Sequence, residues 1–377
     1  MPHPVRRRGD RPPLLAALTA LAGLALAGCG LAPVSGSGPD RGRPGPAAAA
    51  PSLTDVDVLP DPRSWTGGTT AVLGDDAPDP VQDDPRPRLP VTLTDAQGTR
   101  VTVTDTSRVL ALDVYGTLAR TVAELGLGDS LVGRDVSTTF AGSEQLPLVT
   151  HSGHDLNAEA ILELDPTVIL TDTSLGPWDV VLQMRDAGIP VVVTDSERGL
   201  DNLDAITDQV ATALGVPEAG RRLADRVQAE VDAVRAEVAA IAPSTERERL
   251  RTVFLYVRGQ SGVYYLFGED SGADALIDAL GLYDVAEEIG WRGMRPVTDE
   301  AIIAAQPELV LMMSGGLESV DGVEGLLEQL PALAETPAGE QRRFVDMADS
   351  QVLGFGPTTA AVLNALAVAV YAPEAVS

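Results

Sequence analysis

The 377-residue chain contains no lysine: all 27 basic residues are arginine, set against 55 acidic ones for a net charge of -28. Without a lysine amine there is no Walker A phosphate loop and no Schiff-base chemistry. The acidic balance argues against a nucleic-acid binder, because a phosphate backbone would be repelled rather than neutralised. Cys29 is the single cysteine, which excludes an intrachain disulfide, a cysteine-built metal site and a CxxC redox motif. Aromatic residues make up only 4%, and histidine occurs three times, at His3, His151 and His154. No GxSxG elbow is present, so the common serine-hydrolase arrangement is absent as well.

A hydrophobic fraction of 44% over this length is enough for two lobes of ordinary domain size plus appendages. The first segment reads as a signal peptide over residues 1–28. Arg6, Arg7, Arg8 and Arg11 precede an apolar stretch from Leu14 to Leu26, too short to span a bilayer core of roughly 30 Å at about 1.5 Å per residue. Leu26-Ala27-Gly28-Cys29 resembles the bacterial lipobox, in which the cysteine becomes the lipidated first residue; an ordinary secretory signal with an incidental cysteine is the alternative. Several acyl chains on one cysteine, at ~0.8 kcal/mol per buried CH₂, would hold the protein on the membrane. Residues 29–88 are rich in Pro, Gly, Ala and Asp without hydrophobic periodicity, and are expected to form a disordered tether.

Beyond the tether the chain repeats itself. Glu159-Ala160-Ile161-Leu162 leads through Asp165-Pro166 into Val168-Ile169-Leu170, and Glu300-Ala301-Ile302-Ile303 leads through Gln306-Pro307 into Leu309-Val310-Leu311. Each copy reads as a short amphipathic helix that stops before a proline and feeds an apolar strand. Alternation at Val91–Thr94 and Val101–Thr104 predicts a hairpin, and strands follow at Val109–Leu112, Val168–Leu170 and Val191–Val193. Strands alternating with helices imply parallel sheets covered on both faces. Pro217 to Ala242 is the longest helical signal, with apolar residues at helical spacing and Pro243 as terminator; about 39 Å at 1.5 Å per residue, it is long enough to join two lobes. The expected organisation is an N-terminal α/β lobe over 89–205, a linking region over 206–243 and a C-terminal α/β lobe over 244–377.

Two residues stand out chemically. His154 lies in the loop Thr150-His151-Ser152-Gly153-His154-Asp155-Leu156-Asn157, ahead of the first repeat helix with Asp155 or Asn157 as its cap. A helix N-terminus disfavours imidazolium and leaves a nitrogen lone pair for a metal; a surface or capping histidine fits the same position. Tyr256 sits at the carboxyl end of the second lobe's first strand, the end that faces the ligand crevice in open α/β sheets. Arg258, two positions on, would share its face. A guanidinium favours phenolate over phenol, and phenolate suits ferric iron and haem; a packed tyrosine bonded to a backbone carbonyl is the plainer reading.

Together, the lipobox, Gly153-His154-Asp155-Leu156-Asn157, Tyr256-Val257-Arg258-Gly259 and Met313-Ser314-Gly315-Gly316-Leu317-Glu318-Ser319 resemble the HmuT-type haem-binding lipoproteins of actinobacterial haem ABC importers. The resemblance covers about Leu89 to Pro373. It implies an α/β fold of two Rossmann-like lobes joined by one long helix, the class III periplasmic-binding-protein-like fold. It also implies haem b as a transported ligand, held in the interlobe cleft between axial His154 and Tyr256, with Arg258 and Met313 beside it. Glu159 and Glu300 match the pair with which such proteins dock on an ABC permease dimer and its ATPase, although first-turn acids are favoured by the helix dipole in any case. The implied setting is the extracytoplasmic face of the cell membrane, anchored at Cys29, with haem-donor proteins upstream, no enzymatic activity and no nucleic acid.

Two rivals share these residues. A ferric siderophore or cobalamin brings its own metal coordination, so a binding protein for either would not need His154 and Tyr256. An extracytoplasmic metalloenzyme built on His151-x-x-His154 and Asp155 lacks the HExxH helix pattern and a clear third ligand.

Overall fold

The computed structural model describes residues 48–377. The signal peptide, Cys29 and the start of the expected tether lie outside the described residues. Among those described, no helix is long and apolar enough to cross a membrane.

Among the described residues the first strand is β1 (Thr69–Ala71). The hairpin β2 (Val91–Thr94) and β3 (Arg100–Val103) turns through Asp95, whose carboxylate accepts from the N–H groups of Gln97 and Thr99 at 3.0 and 2.7 Å. Next come β4 (Val109–Leu112), α1 (Thr117–Val122), β5 (Thr150–His151), β6 (Asp155–Leu156), α2 (Ala158–Glu163), β7 (Val168–Thr171), α3 (Trp178–Asp186) and β8 (Val191–Val193). They form a first lobe around a parallel sheet in the order β4-β7-β8. Helices α4 (Leu203–Ala213) and α5 (Pro217–Ile241) lead out of it.

The second lobe opens with β9 (Arg251–Arg258), β10 (Val263–Phe267), α6 (Ala273–Ala279), β11 (Tyr283–Asp284), α7 (Val285–Glu288), β12 (Met294–Pro296), α8 (Asp299–Ala305) and β13 (Leu309–Met313). Short helices α9 (Ser314–Glu318), α10 (Gly322–Gln329), α11 (Pro331–Ala334) and α12 (Pro337–Gln341) precede β14 (Phe344–Met347), α13 (Asp349–Val352) and α14 (Thr359–Tyr371). The sheet order is β1-β14-β13-β9-β10-β12, with β11 also on β9. Its β9-β13-β14 part is parallel, matching β4-β7-β8 of the first lobe. The sheet as a whole is not: β10 runs antiparallel to β9, and β12 antiparallel to β10. The cause is a tight reversal after β9, where Gly262 takes a φ of 63°, in place of a helical crossover.

Period-two alternation divides the core. On β4, Val109 and Ala111 enter a cluster shared by both lobes, while Leu110 and Leu112 face the outer helices. On β9, Phe254 joins the shared cluster and Val253, Leu255 and Val257 face outward. Helices α4, α5 and α14 contribute Val210, Val227, Val231, Val238, Leu363 and Leu366 to the same shared cluster. One continuous core therefore fixes the lobes against each other, and α5 is its spine.

The expected disordered tether through residue 88 is not what the structure shows from residue 48 onward. Leu53, Ala71 and Leu73 are buried, and β1 extends the second lobe's sheet, pairing Thr69 with Val345 and Ala71 with Met347. Arg63 pairs with Glu308 at 2.8 Å and donates to the carbonyls of Glu248 and Arg249. Further along, the segment straps the first lobe: Glu124 accepts from Arg120 at 2.7 Å, from Arg226 at 2.7 Å and from the Asp79 N–H at 3.1 Å. The Gln82 carbonyl lies so close to Gly126 (φ 86°) that a Cβ there would meet it at 1.9 Å. Composition misled because the order comes from sheet-edge pairing and arginine hydrogen bonds, which leave no periodic apolar signature.

Glu124 is almost fully buried and answers two guanidinium groups. Glu124→Ala strands both cations and should destabilise the fold by about 3 kcal/mol, read as a shifted urea midpoint; a change below about 0.5 kcal/mol, the range of an ordinary surface substitution, would contradict the strap.

Candidate ligand-binding cleft

Strand β9 carries its inner-face residues out of the core toward its carboxyl end: Phe254 is buried, Tyr256 is half-buried and Arg258 reaches the opening. The antiparallel neighbour β10 places Tyr265 opposite Tyr256 and Phe267 opposite Phe254. Phe267 stacks on Tyr256 at 5.8 Å between ring centroids, with 23° between the planes. The Arg258 guanidinium also lies over this ring, 4.5 Å from the Tyr256 ring centroid, within cation–π range. Tyr256 is thus positioned by its ring; among the described residues its hydroxyl takes no hydrogen bond, against the plainer reading of a tyrosine tied to a carbonyl.

Arg258 is held in turn. It donates to its neighbour's carbonyl on Val257 at 2.8 Å and pairs with Asp349 at 2.7 Å. Asp349, at the start of α13, also accepts from the Gly315 N–H at 2.8 Å. The Met313-to-Ser319 motif explains itself here. A Cβ at Gly316 would lie 2.9 Å from the Val257 carbonyl oxygen, so the glycine lets α9 approach β9; Ser319 Oγ accepts from the Gly259 N–H at 2.9 Å. Met313 ends β13 on the inner face, next to Tyr256's strand.

From the first lobe, the β5–β6 turn presents His154. Ser152 and Gly153 both adopt positive φ, 47° and 90°, within the three-residue turn that also carries His154 between the paired His151 and Asp155. Asn157, not Asp155, caps α2, accepting from the N–H groups of Glu159 and Ala160 at 3.1 and 3.2 Å. His154 therefore stands three residues ahead of the cap and outside the helix terminus. Its imidazolium is still disfavoured, but for another reason: partial desolvation at the cleft edge, then the Arg258 cation across the cleft, outweigh the pull of Asp349 and Asp155. His151 pairs with Asp155 on the exposed hairpin.

His154, Tyr256, Arg258 and Met313 line one cavity of about 530 Å³, within the range of roughly 300–1,000 Å³ typical of small-molecule sites; His151 does not line it. Tyr115, Tyr256, Tyr265 and Phe267 are four of the chain's fourteen aromatic residues, and Met294 joins Met313. Such a surface suits a large, flat, mainly apolar ligand, with a nitrogen donor on one lobe and an oxygen donor on the other. A neighbouring cavity of about 620 Å³ shares Tyr115, Asp270 and Ser271.

Several lining residues escaped the sequence reading. Tyr115 follows β4 much as Tyr256 ends β9, so applying the strand-end rule to the first lobe would have found it. Its loop is set by a buried network that carries no motif. Asp135 accepts from the N–H groups of Asp113, Ser137 and Thr138, while Arg198 pairs with Asp172 at 2.7 Å and lies 3.6 Å from Asp113. Burial pushes the carboxyls of Asp113 and Asp135 up, against the pull of the Arg198 cation on Asp113 and reinforced by neighbouring negative charge at both. Asp349 and Met294 are visible as cleft residues only once the strands are assembled. Glu159 and Glu300 are exposed in the first turns of α2 and α8, outside the cavity lining.

The chain matches the model of the periplasmic binding protein family over residues 114–350. It is similar to a crystal structure of the heme binding protein HmuT, at 40% identity and a TM-score of 0.77 over 82% of this chain and 99% of that one. Other HmuT structures carry alanine at a histidine, at a tyrosine, and at an arginine two positions beyond that tyrosine. The apo form of periplasmic heme-binding protein RhuT from Roseiflexus sp. RS-1 is 36% identical, with a TM-score of 0.65 over 71% of this chain and 99% of that one. BhuT, solved in complex with two hemes, is 30% identical, with a TM-score of 0.62 over 72% and 99%. No curated protein sequence matches.

The cleft electrostatics predict that His154, followed by NMR titration of the ligand-free protein, loses its proton below the ordinary histidine value. Arg258→Ala removes a cation and frees the Asp349 carboxylate, so the midpoint should rise; an unmoved midpoint would show that the two lobes do not communicate through this pair.

Proposed function

This chain belongs to the periplasmic binding protein family, and we propose that it captures haem in the interlobe cleft and passes it to an ABC importer. The observation that carries the reading is that His154 and Tyr256, from different lobes, line one aromatic-rich cavity. Tyrosine and histidine are both accepted haem-iron ligands. The HmuT, RhuT and BhuT neighbours are heme-binding proteins by name, and the Tyr-x-Arg spacing of the HmuT variants equals that of Tyr256 and Arg258. The family and these neighbours are binding proteins, which supports a role without catalysis.

In this scheme His154 offers an imidazole nitrogen lone pair, since desolvation and Arg258 both disfavour its protonated form. Tyr256 offers its hydroxyl oxygen, aimed by the Phe267 stack and the Arg258 contact. Met313, Tyr265 and Phe267, which line the cavity, would cover the macrocycle and keep water from its face. Because each lobe supplies one donor, any separation of the lobes takes away one of the two protein donors to the cargo iron, which gives a route to release. Glu159 and Glu300, one per lobe and both exposed, are the carboxylates that would engage a permease dimer. Cys29 would carry the lipid that keeps the protein at the extracytoplasmic face of the membrane.

Hemin added to the purified protein should produce a Soret band that shifts in Tyr256→Ala and in His154→Ala, each with affinity lowered about tenfold or more, a loss of at least ~1.4 kcal/mol. Spectra and affinities identical to wild type in both variants would remove the ligand assignment; tight siderophore binding without hemin affinity would replace the cargo. Cys29→Ser should move the protein from the membrane to the soluble extracytoplasmic fraction, and retention at the membrane would refute the anchor.

A further inference from the structure

The two lobes repeat more than a glutamate. Strands β7 and β13 occupy equivalent central places in the parallel orders β4-β7-β8 and β9-β13-β14, which makes α2 and α8 equivalent helices. Ile161 and Ile302 point into the lobes, at 1% and 3% exposure, whereas Leu162 and Ile303 stand out at 46% and 55%. An isolated exposed aliphatic side chain needs no explanation. Here, however, two of the seven exposed large hydrophobics among the described residues occupy the same position of a duplicated element, and that coincidence does.

Each lies three residues after its glutamate, so on a helix it sits one turn along the same face, about 60° around the axis. The local chemistry also matches: Glu163 adds a second exposed acid beside Leu162, and Asp299 a second beside Ile303. Both helices begin at the cleft. The short connections from α2 to β7 and from α8 to β13 make each helix antiparallel to its strand, which places its first turn at the carboxyl edge of the sheet. His154, just ahead of α2, and Met294, just ahead of α8, line the cavity.

We propose that Leu162 and Ile303 are paired apolar anchors that, beside Glu159 and Glu300, seat the two lobes on two equivalent hollows of a two-fold symmetric membrane partner across the cleft mouth. The inference rests on the permease-docking reading and gives the contact its specific chemistry: each hollow offers a cationic group next to an apolar floor. Charge selects this occupant. A second copy of the chain would set acid against acid in a protein of net charge -28, and an anionic lipid surface would repel both patches. A symmetric partner with cationic hollows complements both at once. Its grip on the cleft mouth couples docking to cargo release, since the same contact bears on both lobes.

The test uses the full-length protein with bound hemin and the permease–ATPase complex reconstituted in nanodiscs. Leu162→Ala combined with Ile303→Ala should weaken binding about tenfold or more at every salt concentration. Glu159→Gln combined with Glu300→Gln should weaken it chiefly at low salt, because screening removes the charge contribution. Leu182→Ala, an exposed residue of α3, should bind as wild type, and all variants should keep the wild-type hemin spectrum. Wild-type affinity in the aliphatic pair with loss in the glutamate pair overturns the anchors and leaves docking intact. Wild-type affinity in both pairs overturns the docking reading, and equal loss in Leu182→Ala overturns the claim that the anchors are specific.

Discussion

The cleft is organised by the Arg258 guanidinium. It lies over the Tyr256 ring, pairs with Asp349 and disfavours the His154 imidazolium from across the opening. A lysine could not replace it: a point charge on a flexible stem would not stack on the ring while presenting a planar edge to a carboxylate. The surrounding architecture serves this placement. Gly316 brings α9 against the Val257 carbonyl, Gly315 gives its N–H to Asp349, and Phe267 stacks on Tyr256.

A single core spanning both lobes gives the site its rigidity, since residues of α4, α5 and α14 join the inner faces of both sheets in one cluster. The strap before residue 88 reinforces this. It adds a strand to the second lobe and an ion-pair cluster around Glu124 on the first, so α5 is not the only connection between the halves. Lobe separation must strain both links, and small displacements of the cleft walls are the motion this fold favours.

Most of the frame was legible because it obeys simple periods. Pro217 and Pro243 bracket a helix whose apolar residues recur every three or four positions, and α5 runs Pro217–Ile241. The duplicated Glu-to-Pro segment revealed two related lobes, and the strand-end rule singled out Tyr256. What escaped was order without periodicity. The strap is held by arginine side chains and by sheet-edge pairing, and a composition rich in Pro, Gly and Asp conceals both. Asp349 is remote from Arg258 in sequence and meets it only when α13 is placed beside β9. The disfavoured imidazolium at His154 has another cause than the one expected: Asn157 caps the helix, so desolvation and Arg258 do what the helix dipole was expected to do.

Duplication and divergence then divide the labour between cleft and surface. The features that the lobes share, Glu159 with Leu162 and Glu300 with Ile303, are exposed; the features that they do not share, His154 and Tyr256, meet in the cavity. The central claim is that the cargo iron is held by one donor from each lobe. X-ray absorption at the iron edge of the hemin complex tests it most directly: one imidazole nitrogen and one phenolate oxygen should complete the shell around the porphyrin nitrogens, each lost in its own alanine variant. A shell unchanged in both variants would contradict the account.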